Sequence, residues 1–159
     1  MKLTKMFRAF ATALCCLLAL ISCRQGPDAA SGPLAPVDVK VVDHLVAVLG
    51  HESCVLELVD PASGEKVKSI RLAQPPNGMA VDGATAYVAE GGPRGAVEVV
   101  DLESGALKRS FPAGHTPMSP VVRGGKLYVA CRFDSRVLEM DAATGTVLDS
   151  WNVPREPVA

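Results

Sequence analysis

Four consecutive residues, His51-Glu52-Ser53-Cys54, place an imidazole, a carboxylate and a thiol within one short segment. Neutral imidazole and thiolate are ligands that hold soft metal ions. A stable site needs three or four ligands, and His115, expected at the same end of the fold, is the candidate third. Solvated loop side chains explain the pattern as well. We therefore predict no metal and no cofactor, and keep His51, Cys54 and His115 as weak candidates.

Three aspartates recur in one local context, in the segments Asp60-Pro-Ala-Ser-Gly64, Asp101-Leu-Glu-Ser-Gly105 and Asp141-Ala-Ala-Thr-Gly145. Such carboxylates could be catalytic or could bind a metal. However, each precedes a glycine at the same distance. An Asp side chain accepts backbone N–H groups within a turn, and Gly adopts positive φ at little steric cost. The pattern therefore predicts hairpin turns rather than catalytic residues.

Motifs that would indicate catalysis are missing from the sequence. It contains no Cys-x-x-Cys-His haem attachment, no phosphate-binding loop and no Gly-x-Ser-x-Gly nucleophile elbow. Basic and acidic residues are balanced, 16 against 17, with no long run of one sign. This balance argues against a nucleic-acid surface. We expect a protein that is not an enzyme, has no catalytic residues and binds no nucleic acid.

The aspartate segments belong to a longer repeat with a period of about 40 residues. Asp60 is followed by Asp101 after 41 residues and by Asp141 after 40 more, and Val46-Ala47 falls on Tyr87-Val88 at the first shift. A period near 40 with short β segments is typical of propeller blades. We predict an all-β protein built from blades of four antiparallel strands, with about three repeats at residues 37–76, 77–117 and 118–159.

Each repeat divides into four strands, and in the central copy these are predicted at 78–81, 85–90, 96–100 and 107–111. In an up-and-down blade the Asp-x-x-Ser/Thr-Gly turns share one end with the turns between first and second strands. The remaining loops then meet at the opposite end, where a binding face is most plausible. The side chains proposed for that face are His51, Arg94, His115, Arg132 and Arg136.

One hydrophobic position recurs in the fourth strand, as Ile70, Phe111 and Trp151. A single Trp can stack against a ligand. Its equivalence to Ile and Phe instead favours packing between blades.

The first residues form a targeting segment, which is excluded from the fold. Basic residues are followed by an apolar stretch and by Leu20-Ile21-Ser22-Cys23, which resembles the lipobox of bacterial lipoproteins. We predict a signal peptide at 1–22, a lipid attached to Cys23 and a flexible tether at 23–36. The expected location is the cell envelope, extracytoplasmic and lipid-anchored. Arg24 in place of Asp favours the outer membrane, on its periplasmic side or at the surface, if the organism has one.

Two of the five cysteines, Cys54 and Cys131, remain in the folded part of the mature chain. An exported protein permits a disulfide between them, but they occupy different positions of the repeat. Whether they pair stays open at this stage, but the strict geometry of a disulfide favours two small semi-buried side chains.

The repeat resembles the YVTN-type β-propeller repeat. Tyr87-Val88-Ala89-Glu90 and Tyr128-Val129-Ala130-Cys131 are similar to its Tyr-Val-Thr-Asn motif, and Phe111-Pro-Ala-Gly114 is similar to a later part. Glu90 and Cys131 replace the final Asn of that motif. The resemblance implies exported or surface-exposed propellers, often of about seven blades, with binding or scaffold roles more often than catalysis. It also implies that some relatives lie in redox enzymes.

About three repeats are too few for a closed ring of four to eight blades. Three explanations remain: a truncated or split part of a longer propeller, a ring completed by association through open strand edges, or an open stack. The function we expect is a membrane-anchored binding or scaffold module for a protein, peptide or glycan. The alternative is the amino-terminal part of a propeller-containing redox protein of haem or quinone type.

Overall fold

The computed structural model describes residues 33–155 and residue 157. The predicted signal peptide, Cys23 and most of the predicted tether lie outside the described residues. Strand β1, Pro36–Val42, begins at the last residue assigned to the tether, and the Ala35 carbonyl accepts a hydrogen bond from the His51 backbone N–H at 3.0 Å. The end of the predicted tether is therefore part of the folded domain.

In the described part of the chain, twelve strands form three antiparallel sheets of four strands each, in simple up-and-down order. We call the sheets β1–β4, β5–β8 and β9–β12 blades 1, 2 and 3. The prediction of four-stranded blades is confirmed. The strands are β1 Pro36–Val42, β2 Leu45–Gly50, β3 Val55–Val59, β4 Lys66–Arg71, β5 Pro76–Asp82, β6 Thr85–Glu90, β7 Ala96–Asp101, β8 Leu107–Pro112, β9 Pro117–Arg123, β10 Lys126–Cys131, β11 Arg136–Asp141 and β12 Val147–Asn152.

The aspartate segments form the turns between the third and fourth strands. Backbone oxygens of Asp60, Asp101 and Asp141 each accept the N–H of the turn glycine at 2.8 Å. The Asp carboxylates accept further backbone N–H groups, as Asp101 does from Ser104 at 2.8 Å. The three glycines have φ between 72° and 77°. The structural interpretation of these aspartates is therefore correct, and the backbone hydrogen bonds explain why.

The core consists of two apolar layers, one between blades 1 and 2 and one between blades 2 and 3. We call the side of a blade that faces the next blade its forward face, and the opposite side its rear face. Tyr87, Val97 and Phe111 on the forward face of blade 2 pack against Leu127 and Met140 on the rear face of blade 3. Strand alternation thus gives blade 2 two buried faces.

Ile70 and Phe111 lie between blades, as predicted, and each is packed beside the turn glycine of the following blade. A Cβ added to Gly105 would lie 3.6 Å from Ile70, and one added to Gly145 would overlap the Phe111 ring. Trp151 differs. It is 42% exposed, against 5% for Phe111, and it stacks at 6.3 Å on Tyr128 of its own blade. Among the described residues Trp151 has no inter-blade packing, because no described blade follows it.

The register of the second strand in blade 1 also differs from the prediction. Comparison of β2 with β6 aligns Val46 with Ala86 and Ala47 with Tyr87, one residue away from the predicted match. The cause is the loop between second and third strands, which has four residues at 51–54 and five at 91–95. Because side chains alternate, this shift decides that Ala47 rather than Val46 packs against blade 2.

The first strands of the three blades lie side by side and line an open groove of about 580 Å³. The Asp38 carboxylate on β1 accepts the Met79 N–H of β5 at 2.9 Å. Asn77 donates its side-chain amide to Pro117 at the start of β9, at 3.1 Å. These polar links hold neighbouring blades around the groove. Within 33–155, no helix has the length and hydrophobicity needed to cross a membrane.

Candidate binding face at the corner end

The loops between second and third strands and the connections between blades meet at one end of the molecule, which we call the corner end. Its backbone is cross-linked by hydrogen bonds. Gly95 donates to Gly114 at 2.8 Å, and Thr116 donates to Gly92 at 2.8 Å. The loop 91–95 and the connection 113–116 are therefore held together, which gives the end a defined surface rather than independent loops.

Phe133 is an exposed aromatic at this end, 51% accessible, in a short 3₁₀ turn at Arg132–Asp134. The His115 ring lies 4.9 Å from the Phe133 ring, and the Arg132 guanidinium carbon lies 5.1 Å from its centre. A cation over an aromatic face is an attractive contact. The group presents one apolar surface flanked by two basic side chains.

Asp134 fixes the position of this group. One carboxylate oxygen accepts the His115 backbone N–H at 2.9 Å and the Arg136 guanidinium at 3.2 Å. These two contacts, with the backbone contact first, keep the pKa of Asp134 below its usual value. The charged carboxylate thus holds the His115 and Arg136 segments together around Phe133 at neutral pH.

Four of the five predicted side chains lie around the boundary between blades 2 and 3. Arg94 lines a cleft of about 510 Å³ that also includes Gly114, next to His115. His115, Arg132 and Arg136 surround Asp134 and Phe133. His51 lies apart, at the boundary of blades 1 and 2, where its Nδ1–H donates to the Pro76 carbonyl at 2.7 Å.

The weak metal candidates are not brought together. Among the described residues, no group of three or more His, Cys, Asp or Glu side chains could hold a metal ion. Cys54 and Cys131 are both free thiols, which answers the disulfide question. Cys131 is buried, and its thiol donates to the Ala113 carbonyl at 2.9 Å. Burial raises the pKa of the Cys131 thiol to about 11, so this sulfur is a packing group.

Two buried glutamates form a feature that sequence reasoning missed. Glu90 on β6 and Glu98 on β7 are 2% and 6% exposed. Glu98 pairs directly with Val88, two residues before Glu90, so the two carboxyl groups are diagonal neighbours on the rear face of blade 2. One Glu90 oxygen accepts the Gln74 N–H at 2.6 Å, whereas Oε1 of Glu90 and Oε2 of Glu98 have no hydrogen-bond partner within the protein.

Burial, together with the hydrogen bond and negative charge of Glu98, raises the pKa of Glu90 to about 8. The Gln74 N–H opposes the shift but does not cancel it. Two neighbouring buried carboxylates are unstable when both are charged, so the pair retains a proton at neutral pH. A Glu between two Val residues, as in Val97-Glu98-Val99, is typical of a strand position that faces solvent. Only the strand register could have placed Glu98 beside Glu90 in the core.

No family model matches the chain, and a search of curated proteins found no match. Solved structures do match. The chain is similar to hydrazine synthase from Kuenenia stuttgartiensis, with a TM-score of 0.72, 19% identity, and coverage of 84% of this chain and 40% of that one. It is similar to AztD from Citrobacter koseri, with a TM-score of 0.60, 20% identity, and coverage of 71% and 33%.

The WD40 repeats of RRP9 match with a TM-score of 0.67 at 18% identity, with coverage of 82% of this chain and 42% of that one. These identities establish the fold and no more. The chain has the β-propeller fold, in the form of three consecutive blades of an incomplete propeller. It spans 33% to 42% of the three proteins named here.

Proposed function

We propose that this protein is a non-catalytic binding module of the cell envelope, which contacts a protein or peptide partner through the corner end. The observation that carries the proposal is the exposed Phe133 ring between His115 and Arg132. Aromatic residues and arginine are enriched at the centres of protein interfaces, where they supply most of the binding energy. The neighbouring Arg94 and Arg136 favour a partner with acidic groups.

Rigidity of the face supports binding. Because Asp134 and the backbone bonds between residues 91–95 and 113–116 already fix the loops, little conformational entropy is lost when a partner docks. The YVTN-like repeat is consistent with this role, since the resemblance implies binding or scaffold functions. Glycan binding, the other class expected from the sequence, has less support because the group around Phe133 includes the charged Arg132 guanidinium rather than only neutral hydrogen-bonding groups.

We also propose that a lipid on Cys23 anchors the module to a membrane on its extracytoplasmic side. The support is the lipobox-like Leu20-Ile21-Ser22-Cys23, which lies outside the described residues. Cys23→Ala should leave the precursor unprocessed, which the mass of the isolated protein will show. A Cys23→Ala chain that matures normally would refute the anchor without affecting the binding proposal.

The binding proposal is tested by capturing partners from envelope extracts with the tagged full chain and with Phe133→Ser. A partner retained by the unmodified chain should be lost, or weakened about tenfold or more, with Phe133→Ser. Leu107→Ser is the matched control, because Leu107 is an exposed apolar residue on the outer strand of blade 2. Equal loss with both variants, or no loss with Phe133→Ser, would contradict the assignment of the corner end.

The redox alternative stays a prediction. Its test is the nucleotide sequence downstream of the coding region, where a Cys-x-x-Cys-His motif after further repeats would favour it.

A further inference from the structure

The two inner blade boundaries use the same pair of parts, a large apolar residue on a fourth strand and a turn glycine in the next blade. Ile70 meets Gly105, and Phe111 meets Gly145. Among the described residues, the large apolar residue and the turn glycine each also occur once without the other beside them. Trp151 stands at the Ile70 and Phe111 position and is exposed. Gly64 stands at the Gly105 and Gly145 position, has the same left-handed φ of 72°, and has no atom within 4 Å of an added Cβ.

The surfaces around these two residues are also exposed at positions that the inner boundaries bury. On the rear face of blade 1, Val39 and Val41 are exposed, whereas Met79, the counterpart of Val39 on β5, is fully buried. On the forward face of blade 3, Val121 is exposed and pairs with Tyr128, which stacks on Trp151. The rear face of blade 1 and the forward face of blade 3 therefore have the features of the two sides of an inner blade boundary.

We propose that the rear face of blade 1 binds the forward face of blade 3 of a second copy of this chain, with Trp151 of one copy against Gly64 of the other. This pairing continues the two boundaries already formed inside the chain, because the blade that covers Trp151 must carry an Asp-x-x-Ser/Thr-Gly turn, and blade 1 carries one at Asp60–Gly64. Two copies joined at both faces contain six blades, which lies within the range of closed propellers. The proposal does not depend on the function of the corner end.

The inner boundaries contain a hydrogen bond from a basic side chain to the turn of the next blade, and the proposed boundary between copies lacks this donor. Lys68 donates to the carbonyls of Leu102 and Glu103 in the turn of blade 2, and Arg109 donates to the Ala143 carbonyl in the turn of blade 3. Asp149 occupies the equivalent position in blade 3, opposite Glu139. A carboxylate cannot donate to the Pro61 and Ala62 carbonyls of a second copy. The contact between copies is therefore weaker than the inner boundaries and depends on protein concentration.

The first test is a photo-cross-link made in the full chain, solubilised in detergent. Trp151→p-benzoylphenylalanine keeps an aromatic group at the face, and irradiation should give an adduct of twice the chain mass. Peptide mapping should place the cross-link in or next to Asp60–Gly64. The control is Phe133→p-benzoylphenylalanine at the corner end, which should give no adduct at that turn. An adduct with a different protein, or none in a chain that sediments as a monomer at every concentration, overturns the proposal.

Glycine variants separate the interface from folding. Gly64→Asn adds a side chain where the isolated chain has open space, and Asn tolerates positive φ. It should lower the cross-link yield at Trp151 about tenfold or more and leave the circular dichroism spectrum unchanged. Gly83→Asn is the matched control, since Gly83 has φ of 55°, is equally open and lies in blade 2, away from both faces. Equal cross-link yields from both variants would overturn the proposed contact between Trp151 and Gly64.

A gain of affinity tests the geometry independently. Asp149→Arg restores the donor that Lys68 and Arg109 supply at the inner boundaries, and should lower the dissociation constant between copies several-fold in analytical ultracentrifugation. No change, or a weaker association, would show that the copies do not meet in the register of the inner boundaries.

Discussion

Glu90 and Glu98 lie as diagonal neighbours on adjacent strands, both buried, and each retains one carboxyl oxygen without a partner within the protein. Polar groups buried in this way cost stability unless they are hydrogen-bonded or neutral. A retained proton reduces the cost, because one protonated carboxyl can donate to the other. Blade 2 therefore tolerates two acids in its core only as long as the pair is not doubly ionised.

The first prediction concerns alkaline pH. The pKa of Glu90 is about 8 in the folded chain, against 4.5 for an ordinary glutamate, so unfolding releases a proton between these values. The free energy of unfolding should therefore fall as the pH rises from about 4.5 to about 8. Glu90→Gln keeps the shape and removes the titration. Urea unfolding at pH 5 and pH 8.5 should show a smaller loss for the variant.

Glu98→Gln provides the companion measurement. Removing the neighbouring negative charge lowers the cost of ionising Glu90, so this variant should lose part of the same pH dependence while burial maintains the rest. Parallel pH profiles for both variants and the unmodified chain would show that the pair does not titrate as described.

The second prediction concerns acid. Backbone N–H groups hold the pKa values of Asp60 and Asp141 below the ordinary value, and Ser104 with Lys108 does the same for Asp101. Groups with a lowered pKa stabilise the folded chain above the unfolded value of 3.8, and this stabilisation is lost as the pH falls through the folded values. Asp101→Asn retains an acceptor without the charge. It should flatten the loss of stability measured between pH 5 and pH 2, and an unchanged slope would contradict this.

The third prediction compares two turn glycines of nearly equal φ, 72° at Gly64 and 74° at Gly145. Gly64→Ala costs only the left-handed backbone penalty of about 1–2 kcal/mol, because the site is open. Gly145→Ala adds overlap with the Phe111 ring, so about 1–3 kcal/mol more is expected. Urea unfolding at low protein concentration measures both. Equal losses would show that the Phe111 ring moves away at no cost.

The fourth prediction concerns the thiols. Cys131 is fully buried with its thiol pKa raised to about 11, whereas Cys54 is half-buried in a loop. Iodoacetamide at pH 8 should therefore modify Cys54 at least tenfold faster than Cys131 in the native chain, because only an accessible thiolate reacts. In urea the two rates should converge. Rapid labelling of Cys131 without denaturant would indicate that the boundary of blades 2 and 3 opens readily.

The strands and turns were predictable because their signals are local. Asp-x-x-Ser/Thr-Gly specifies a turn through its own hydrogen bonds, and the recurrence of Ile70 and Phe111 specifies a buried position. The exposure of Trp151 was not predictable, since burial depends on whether another blade covers it. The acid pair was missed for a related reason. Side-chain alternation predicts that Glu98 lies on the same face of its strand as Val100. It does not predict that this face is buried against blade 1.

The location of the proposed binding face and four of its basic side chains were predictable from the sequence, but the central place of Phe133 was not. Up-and-down topology alone places the corner loops at one end, and the structure assembles Arg94, His115, Arg132 and Arg136 there. The central place of Phe133 depends on a short 3₁₀ turn and on contacts made by Asp134, which involve residues 19 positions apart. Such contacts leave no periodic signal in a single sequence.

The corner loops differ in length by one residue, four at 51–54 against five at 91–95, while the strands on both sides keep their pairing. The extra residue is accommodated within the loop, so the strands before and after it keep their places in the blade. This makes loop 91–95 a natural site for engineering. A peptide tag or an affinity-selected sequence inserted between the exposed Pro93 and Arg94 should be displayed at the corner end without altering the packing of the blades.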